Sequence, residues 1–282
     1  MRSDVHKPSW ITRFRRAIHQ ITRHTAAAGL LRESVLLQLQ ALPRYSDPRR
    51  LIAHEHKAFS QNGEDGAIAE IFRRIGAQSR TFVEIGVGDG LENNTTFLLQ
   101  QGWSGIWVEG GRDNCRNIRR RFEKYLTTGQ LVLVEAMVTR ENVARLLEPL
   151  LATRPLDLLS IDVDRNTYHV WQALSGIEPR VAVIEYNATF PHHVHWIVDY
   201  DPDKWWRGSS HFGASLASLA ELAQSRQMSL VGCDLTGTNA FFVSTTLCGD
   251  RFLAPFTAEN HYEPCRMHLH RTVHGHVPAI GD

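Results

Sequence analysis

The run Val83-Glu84-Ile85-Gly86-Val87-Gly88-Asp89-Gly90 places an acid, then three glycines at alternate positions, behind a short apolar stretch. Thr81 to Ile85 read as a buried strand. The glycines permit a sharp turn where the backbone must approach a ligand closely and any Cβ would intrude. Glu92-Asn93-Asn94-Thr95-Thr96 then leads into an apolar helical pattern. Glu109 ends the next predicted strand, twenty residues after Asp89. An acid at that place can accept hydrogen bonds from both hydroxyls of a ribose. Gly90 comes one residue too early for the G-x-G-x-x-G turn of dinucleotide enzymes. The competing reading is an ordinary strand-to-helix turn that meets no ligand.

Helical and strand patterns alternate around this motif. A helix is predicted over Asn62–Ile75, with Ile68, Ile71, Phe72 and Ile75 on its apolar side, and another over Thr139–Leu151. Apolar runs predict strands at Thr81–Ile85, Gly105–Glu109, Leu131–Glu135, Asp157–Asp162 and Arg180–Tyr186. Five strand-helix alternations with near-continuous apolar strands imply a parallel sheet covered on both faces. Met228–Cys233 and Ala240–Ser244 are separated by a link too short for a parallel crossover, so they predict an antiparallel hairpin. The chain divides into a helical arm (1–57), an α/β domain (58–250) and a tail without clear period (251–282).

At 282 residues the chain can bury a full core, and its 31 basic and 30 acidic side chains make no global case for a polyanionic partner. Charge is unevenly spread: ten Lys and Arg against four acids fall within residues 1–56. Trp10, Ile11, Phe14, Ile18 and Ile21 recur there at helical spacing among arginines, which predicts a basic amphipathic helix. It would cover an edge of the main domain, pair with another subunit, or meet a membrane surface or nucleic acid. Cys115, Cys233, Cys248 and Cys265 lack any C-x-x-C pairing and read as reduced thiols. With no apolar run of spanning length, the expectation is a soluble, cytoplasmic protein.

Ligands of open α/β sheets lie across the carboxyl ends of the strands, so each strand end is a candidate position. The fourth strand runs into Asp162 and Asp164, the fifth into Glu185 and Asn187. Unpaired carboxylates in one crevice raise one another's pKa, and a hard divalent cation such as Mg²⁺ would resolve the repulsion with oxygen ligands. Alternatively, Asp162 meets a cofactor or a helix terminus and the others are hydrogen-bonded loop residues. The insertion from Thr189 to Gly213 carries His192, His193, His195, Trp196, Trp205, Trp206 and His211. His193, Trp205, Trp206 and Ser210 are candidates to contact an acceptor, with the aromatics stacking on a sugar or flat ring. His211 is a candidate general base because its pKa suits proton removal near neutrality, although a structural or surface histidine is the plainer reading. Gln61 precedes a helix beside the glycine strand and is either a ligand contact or part of a helix start capped by Ser60 or Asn62.

The acid-x-Gly-x-Gly-x-Gly run resembles motif I of class I S-adenosylmethionine (SAM) methyltransferases. Phe59 to Gly66, Asp157 to Asp164, Val183 to Asn187, Tyr200-Asp201-Pro202, Gly208 to Ser215 and Gly237 to Val243 together resemble the FkbM-type superfamily of these enzymes. That resemblance implies a Rossmann-like, mostly parallel seven-stranded sheet ending in an antiparallel hairpin. It implies SAM as cofactor, with Gln61, Glu84, Gly86, Gly88, Asp89, Asn94, Glu109, Ala136 and Asp162 around it. It also implies O-methylation of a small molecule, sugar or natural product. The acids after the fourth and fifth strands are similar to those that hold a metal in metal-dependent O-methyltransferases, which makes Asp162, Asp164, Glu185 and Asn187 candidate metal ligands, and Asp162, Glu185 and His211 are the catalytic candidates. Arg165 and Thr167 stand where that family tends to have glycine and aspartate, and Arg165 either meets an anionic substrate group or faces solvent. The alternatives are a SAM- or nucleotide-binding module without catalysis and a nucleic-acid methyltransferase guided by the basic arm.

Overall fold

Burial on both faces organises the sheet. The strand β1 (Thr81–Ile85) is buried along its whole length, with Phe82 facing one side and Val83 and Ile85 the other. Parallel to it lie β2 (Ser104–Glu109) on one side and β4 (Leu158–Ile161) on the other. β3 (Leu131–Glu135) extends the sheet beyond β2, and β5 (Val181–Glu185) beyond β4. The hairpin β6 (Met228–Cys233) and β7 (Asn239–Ser244) completes it, with β7 antiparallel to both β5 and β6. The order β3-β2-β1-β4-β5-β7-β6 is a Rossmann-like, seven-stranded sheet, mostly parallel, closed by the hairpin that the short link required. The computed structural model describes residues 27–151, 154–204, 206 and 208–269. Trp205 and the segment from Trp10 to Ile21 therefore lie outside the described residues.

Helices cover both faces. Val83, Ile85, Leu159, Ile161, Ala182 and Ile184 pack beneath α6 (Val143–Leu151), α7 (Thr167–Ala173) and α8 (Leu216–Ser225). Phe82, Trp107, Val183, Phe241 and Val243 pack against α2 (Glu64–Ile75) and Ile118 of α4 (Arg112–Arg121). Removing a ring as large as the fully buried Trp107 would cost about 3–5 kcal/mol. The helix α2 starts at Glu64, two residues after its predicted start. Asp65 accepts the N–H groups of Ala58, Phe59 and Ser60, at 2.7–2.8 Å, folding that loop onto the helix end, while Ser60 Oγ accepts the Asp65 N–H at 3.1 Å.

The arm is helical over 27–40 (α1), and Leu36, Tyr45 and Ile52 bury themselves with Leu235 and Leu269. Within the tail, the described residues 251–269 pack against the domain. Phe252 enters one face of the core and Ala258 the other, and His261 and Glu263 are 2% and 1% exposed. Its contacts are irregular in spacing: Arg50 donates to the Asn260 carbonyl and side chain, Arg44 to the Tyr262 carbonyl, and Tyr186 Oη to the Glu263 carbonyl. No described helix is long and apolar enough to cross a membrane.

Candidate active site

Strand order reverses between β1 and β4, and the glycine turn leaves β1 at that reversal, where open α/β sheets form a crevice. Gly86, Gly88 and Gly90 all adopt positive φ (84°, 61° and 82°). A Cβ on Gly86 would lie 1.7 Å from the Asp162 carbonyl oxygen, whereas one on Gly88 would meet nothing within 4 Å. The first glycine is required for packing, and the second opens onto a groove of about 440 Å³ that runs past Glu109, Ala136 and Met137 to Asp162 and Asp164.

Glu109, at the end of β2, already has donors on both oxygens. One accepts from Val87 N at 3.1 Å and Gly88 N at 2.9 Å, the other from Gly111 N at 2.7 Å and Asn114 Nδ2 at 3.1 Å. It thus shapes the glycine turn and also lines the groove. Glu84 is buried, accepting from Asn94 N (2.9 Å), Thr95 Oγ1 (2.5 Å) and Ser160 Oγ (3.3 Å). Burial pushes its carboxyl up to about 7. Asn94 Nδ2 donates to Ser160 Oγ at 3.0 Å, and Asp89 forms an ion pair with Arg121. Glu84, Asn94 and Asp89 therefore build the turn, and Glu84 and Asn94 also reach a polar hollow of about 170 Å³ beside it, shared with Gln61 and Asp162.

A second cleft, about 320 Å³, opens on the other side of Asp162. Asp164, Glu185, Asn187, Trp206, Ser210, Phe212 and Cys265 line it, and Gln61 and Asp162 line it as well as the polar hollow. Asp162 faces all three spaces, which makes it the junction. Oxygens of Asp162, Asp164 and Glu185 lie within 4.8 Å of one another. Burial, then Asp164 and Glu64, pushes Asp162 up to about 7. Burial and the two aspartates push Glu185 well above the usual carboxyl range, and burial raises Asp164. Glu185 Oε2 is buried without a hydrogen-bond partner. Among the described residues, no Lys, Arg or His lines this cleft.

Other expected residues take different places. Asn187 Nδ2 donates to the Ser210 and Phe212 carbonyls at 2.7 and 2.9 Å, and its Oδ1 accepts from Thr189 N at 3.1 Å. Its amide holds the insertion over the cleft, so it stands apart from the three carboxylates in what it does. Arg165 donates to the Asp199 and His211 carbonyls at 3.0 and 3.4 Å, bracing the same insertion. His211 is exposed, edge-on to Trp196 at 5.4 Å, and His193 is exposed against His192; neither lines the three spaces. Cys265 was not anticipated as a lining residue. Thr238 and Glu64, by contrast, stood in the Gly237–Val243 and Phe59–Gly66 runs, and the Glu64 carboxylate accepts from Asn62 and Asn239. A larger hollow of about 520 Å³ lies near the amino end of β5, beside Gln172, Glu178 and Arg226. The Arg226 guanidinium there is engaged by the Trp171, Leu174 and Ile177 carbonyls. It lacks the convergent acids of the Asp162 junction.

No protein-family model matches the chain, and no curated protein matches it. Among solved structures, it is similar to the N-terminal domain of EvdMO1 with SAH bound (15% identity, covering 66% of this chain and 80% of that one, TM-score 0.42). It is also similar to an O-methyltransferase from Bacillus cereus in complex with SAH (14% identity, 77% and 89%, TM-score 0.41). A third is the CcbJ methyltransferase from Streptomyces caelestis (14% identity, 70% and 96%, TM-score 0.41). Likenesses this distant add nothing to what the strand order and the site geometry carry by themselves.

Proposed function

We propose that the protein is a SAM-dependent methyltransferase that methylates a hydroxyl of a small molecule, sugar or natural product. One observation supports the reading: a glycine-walled groove that passes Glu109 and a separate acceptor-sized cleft meet at two side chains, Asp162 and Asp164. The groove fits the cofactor, since Gly88 leaves open space at a turn and the volume is in the range of small-molecule sites. When bound, SAM would supply an electrophilic methyl group for an acceptor oxygen. Glu109 would receive the ribose hydroxyls, with Asn114 the donor most readily displaced because it alone is on a free side chain. Ala136 and Met137 would flank the base, and Gly86 and Gly88 the methionine part of the cofactor. The residues quoted for the FkbM-type resemblance support that branch of the methyltransferases, and unpaired buried thiols fit a reducing compartment such as the cytoplasm.

The chain's task is to align the acceptor, exclude water and take up a proton. Trp206, Phe212 and Ser210 form the cleft's walls, and Trp205 is assigned to the same roof on sequence alone. Asp162, with its proton affinity near neutrality, is suited to receive the acceptor proton, and Glu185 to share it. The same carboxylates, with Asp164, fit a hard divalent cation, which would lower the pKa of a hydroxyl beside it. His211 would reach the acceptor only through a movement of the insertion. The decisive experiment incubates the protein and radiolabelled SAM with fractionated cell extract, with and without Mg²⁺ and EDTA, and identifies the product by mass spectrometry. Label in a small hydroxylated compound is the expected result. Cofactor binding without transfer to any fraction would leave a binding module, and label removed by nuclease would reinstate a nucleic-acid acceptor.

A further inference from the structure

We infer that the acceptor carries a cation: it is a hydroxylated amine whose ammonium lies among the oxygens of Asp162, Asp164 and Glu185 in the 320 Å³ cleft. The inference rests on the acceptor reading of this cleft and narrows the substrate class within it. The cleft is rich in hydrogen-bond acceptors and poor in donors. Three carboxylates line it with oxygens within 4.8 Å of one another, and Glu185 Oε2 is buried without a partner. Such an atom costs roughly 1–3 kcal/mol when left unpaired, so it calls for a donor brought by the ligand.

The side chains that could have supplied donors are committed elsewhere. Asn187 Nδ2 donates to the Ser210 and Phe212 carbonyls. Arg165, a candidate to meet an anionic group, donates from its two Nη atoms to the His211 and Asp199 carbonyls and does not line the cleft. Among the described residues the three acids face no basic side chain there. An ammonium matches this lining on two counts. It has only donors, so one group can satisfy several carboxylate oxygens. It also suits the aromatic part of the wall: Trp206 and Phe212, with ring centroids 5.9 Å apart, attract a cation and let the apolar body of an amine leave water. A carboxylated or phosphorylated acceptor would set like charge against the acids. In the absence of acceptor the same oxygens stay open to a divalent cation, so the amine and Mg²⁺ should compete.

Cys265 lines the cleft and is exposed while Cys115, Cys233 and Cys248 are buried, so its thiol reports the local potential. The full-length protein is reacted with a cationic and an anionic methanethiosulfonate, and modification of Cys265 is followed by peptide mass spectrometry. Relative to the same pair of reagents on 2-mercaptoethanol, the cationic one should be favoured roughly 10-fold or more, and added salt should reduce the preference. Glu185→Gln should reduce it as well; the wild-type ratio and its salt dependence stand even if that variant fails to fold. A ratio equal to that of the free thiol would overturn the proposal. Preference for the anionic reagent would also overturn it, in favour of a cation from Arg207, which lies outside the described residues. In a second arm, small molecules of a cell extract are separated on cation and anion exchangers before transfer from radiolabelled SAM. Label in the fraction held by the cation exchanger is the expected result. Label only in unretained or anion-exchange fractions would overturn the substrate class and leave methyl transfer in place. No label in any fraction would remove the acceptor reading, and the class with it.

Discussion

Gly86 and Asp162 are in backbone contact: a Cβ on the glycine would sit 1.7 Å from the Asp162 carbonyl oxygen. The close approach follows from β1 and β4 pairing in register, with Ile85 opposite Ile161, so that the turn leaves one strand where the acidic loop leaves the other. One glycine therefore couples the groove that passes Glu109 to the cleft beyond Asp162.

Gly86→Ala should consequently destabilise the fold by about 3 kcal/mol or more, from a backbone clash added to a strained positive φ. Gly88→Ala, with open space around its Cβ, should cost only about 1–2 kcal/mol for its left-handed backbone. It should nevertheless lose affinity for S-adenosylhomocysteine, because its methyl group would project into the groove. Chemical denaturation and titration calorimetry separate the two. Equal stability losses in the pair would contradict the contact.

The carboxylates of Asp162, Asp164 and Glu185 give a second expectation. Mg²⁺ or Mn²⁺ at a hundredfold excess over its Kd should stabilise the wild-type protein by about 2.7 kcal/mol, read as a rise in Tm. Glu185→Gln should abolish that rise. It should leave the metal-free fold within about 1 kcal/mol, since burial and the two aspartates disfavour a charge on Glu185 and the amide is of the same size. Full methyl transfer in excess EDTA, with no metal-dependent change in Tm, rules the cation out and leaves Asp162 as the proton acceptor.

The strand ends were legible in the sequence because strands buried on both faces appear as short apolar runs that stop at glycine or acid. This holds for Thr81–Ile85, Ser104–Glu109, Leu158–Ile161 and Val181–Glu185, whereas the edge strand Leu131–Glu135 is only partly buried. The division of labour among the acids was not legible. Glu84 and Glu109 both flank the glycine turn, but which of them faces the groove depends on where Asn94, Thr95, Gly88 and Gly111 aim their donors. No spacing rule encodes that. Cys265 was missed for a related reason: residues 262–266 are held by side-chain bonds to carbonyls and by buried ion pairs, which impose no period. His211 shows the converse, since residue type alone suggested a base and the fold turned it to solvent.

Glu84 should leave a signature in the pH dependence of stability. Its carboxyl is pushed from 4.5 to about 7 in the folded protein by burial. Between those values the folded state holds a proton that the unfolded chain releases, so stability falls as pH rises through that window and levels off above it. The contribution is about 3 kcal/mol, at 1.36 kcal/mol per pKa unit. His261 works in the opposite direction, because burial lowers it from 6.5 to about 4. The comparison of Glu84→Gln with wild type isolates the glutamate: denaturation at pH 4.5 and pH 7.5 should show a decline smaller by that amount in the variant. Parallel profiles would mean that Glu84 is ionised throughout.

Tyr45 and Glu263 join the N-terminal arm to the strap that carries Cys265 along the acceptor cleft. Tyr45 Oη donates to Glu263 Oε2 at 2.6 Å, Arg266 Nη1 donates to the same oxygen at 2.9 Å, and Arg44 lies 3.4 Å from Oε1. Burial and the adjacent carboxylate push the Tyr45 hydroxyl up to about 12, so it remains a donor across the working pH range. Tyr45→Phe removes one donor from a charged group that cannot reach solvent, at a cost of about 1–3 kcal/mol. The loss should appear locally first, as faster amide hydrogen exchange over residues 262–266 with the sheet unaffected. Because Tyr186 Oη donates to the Glu263 carbonyl one residue beyond Glu185, a loosened strap should raise KM for the acceptor more than it lowers kcat. Unchanged exchange in the strap would show that Arg266 and Arg44 hold Glu263 without the tyrosine.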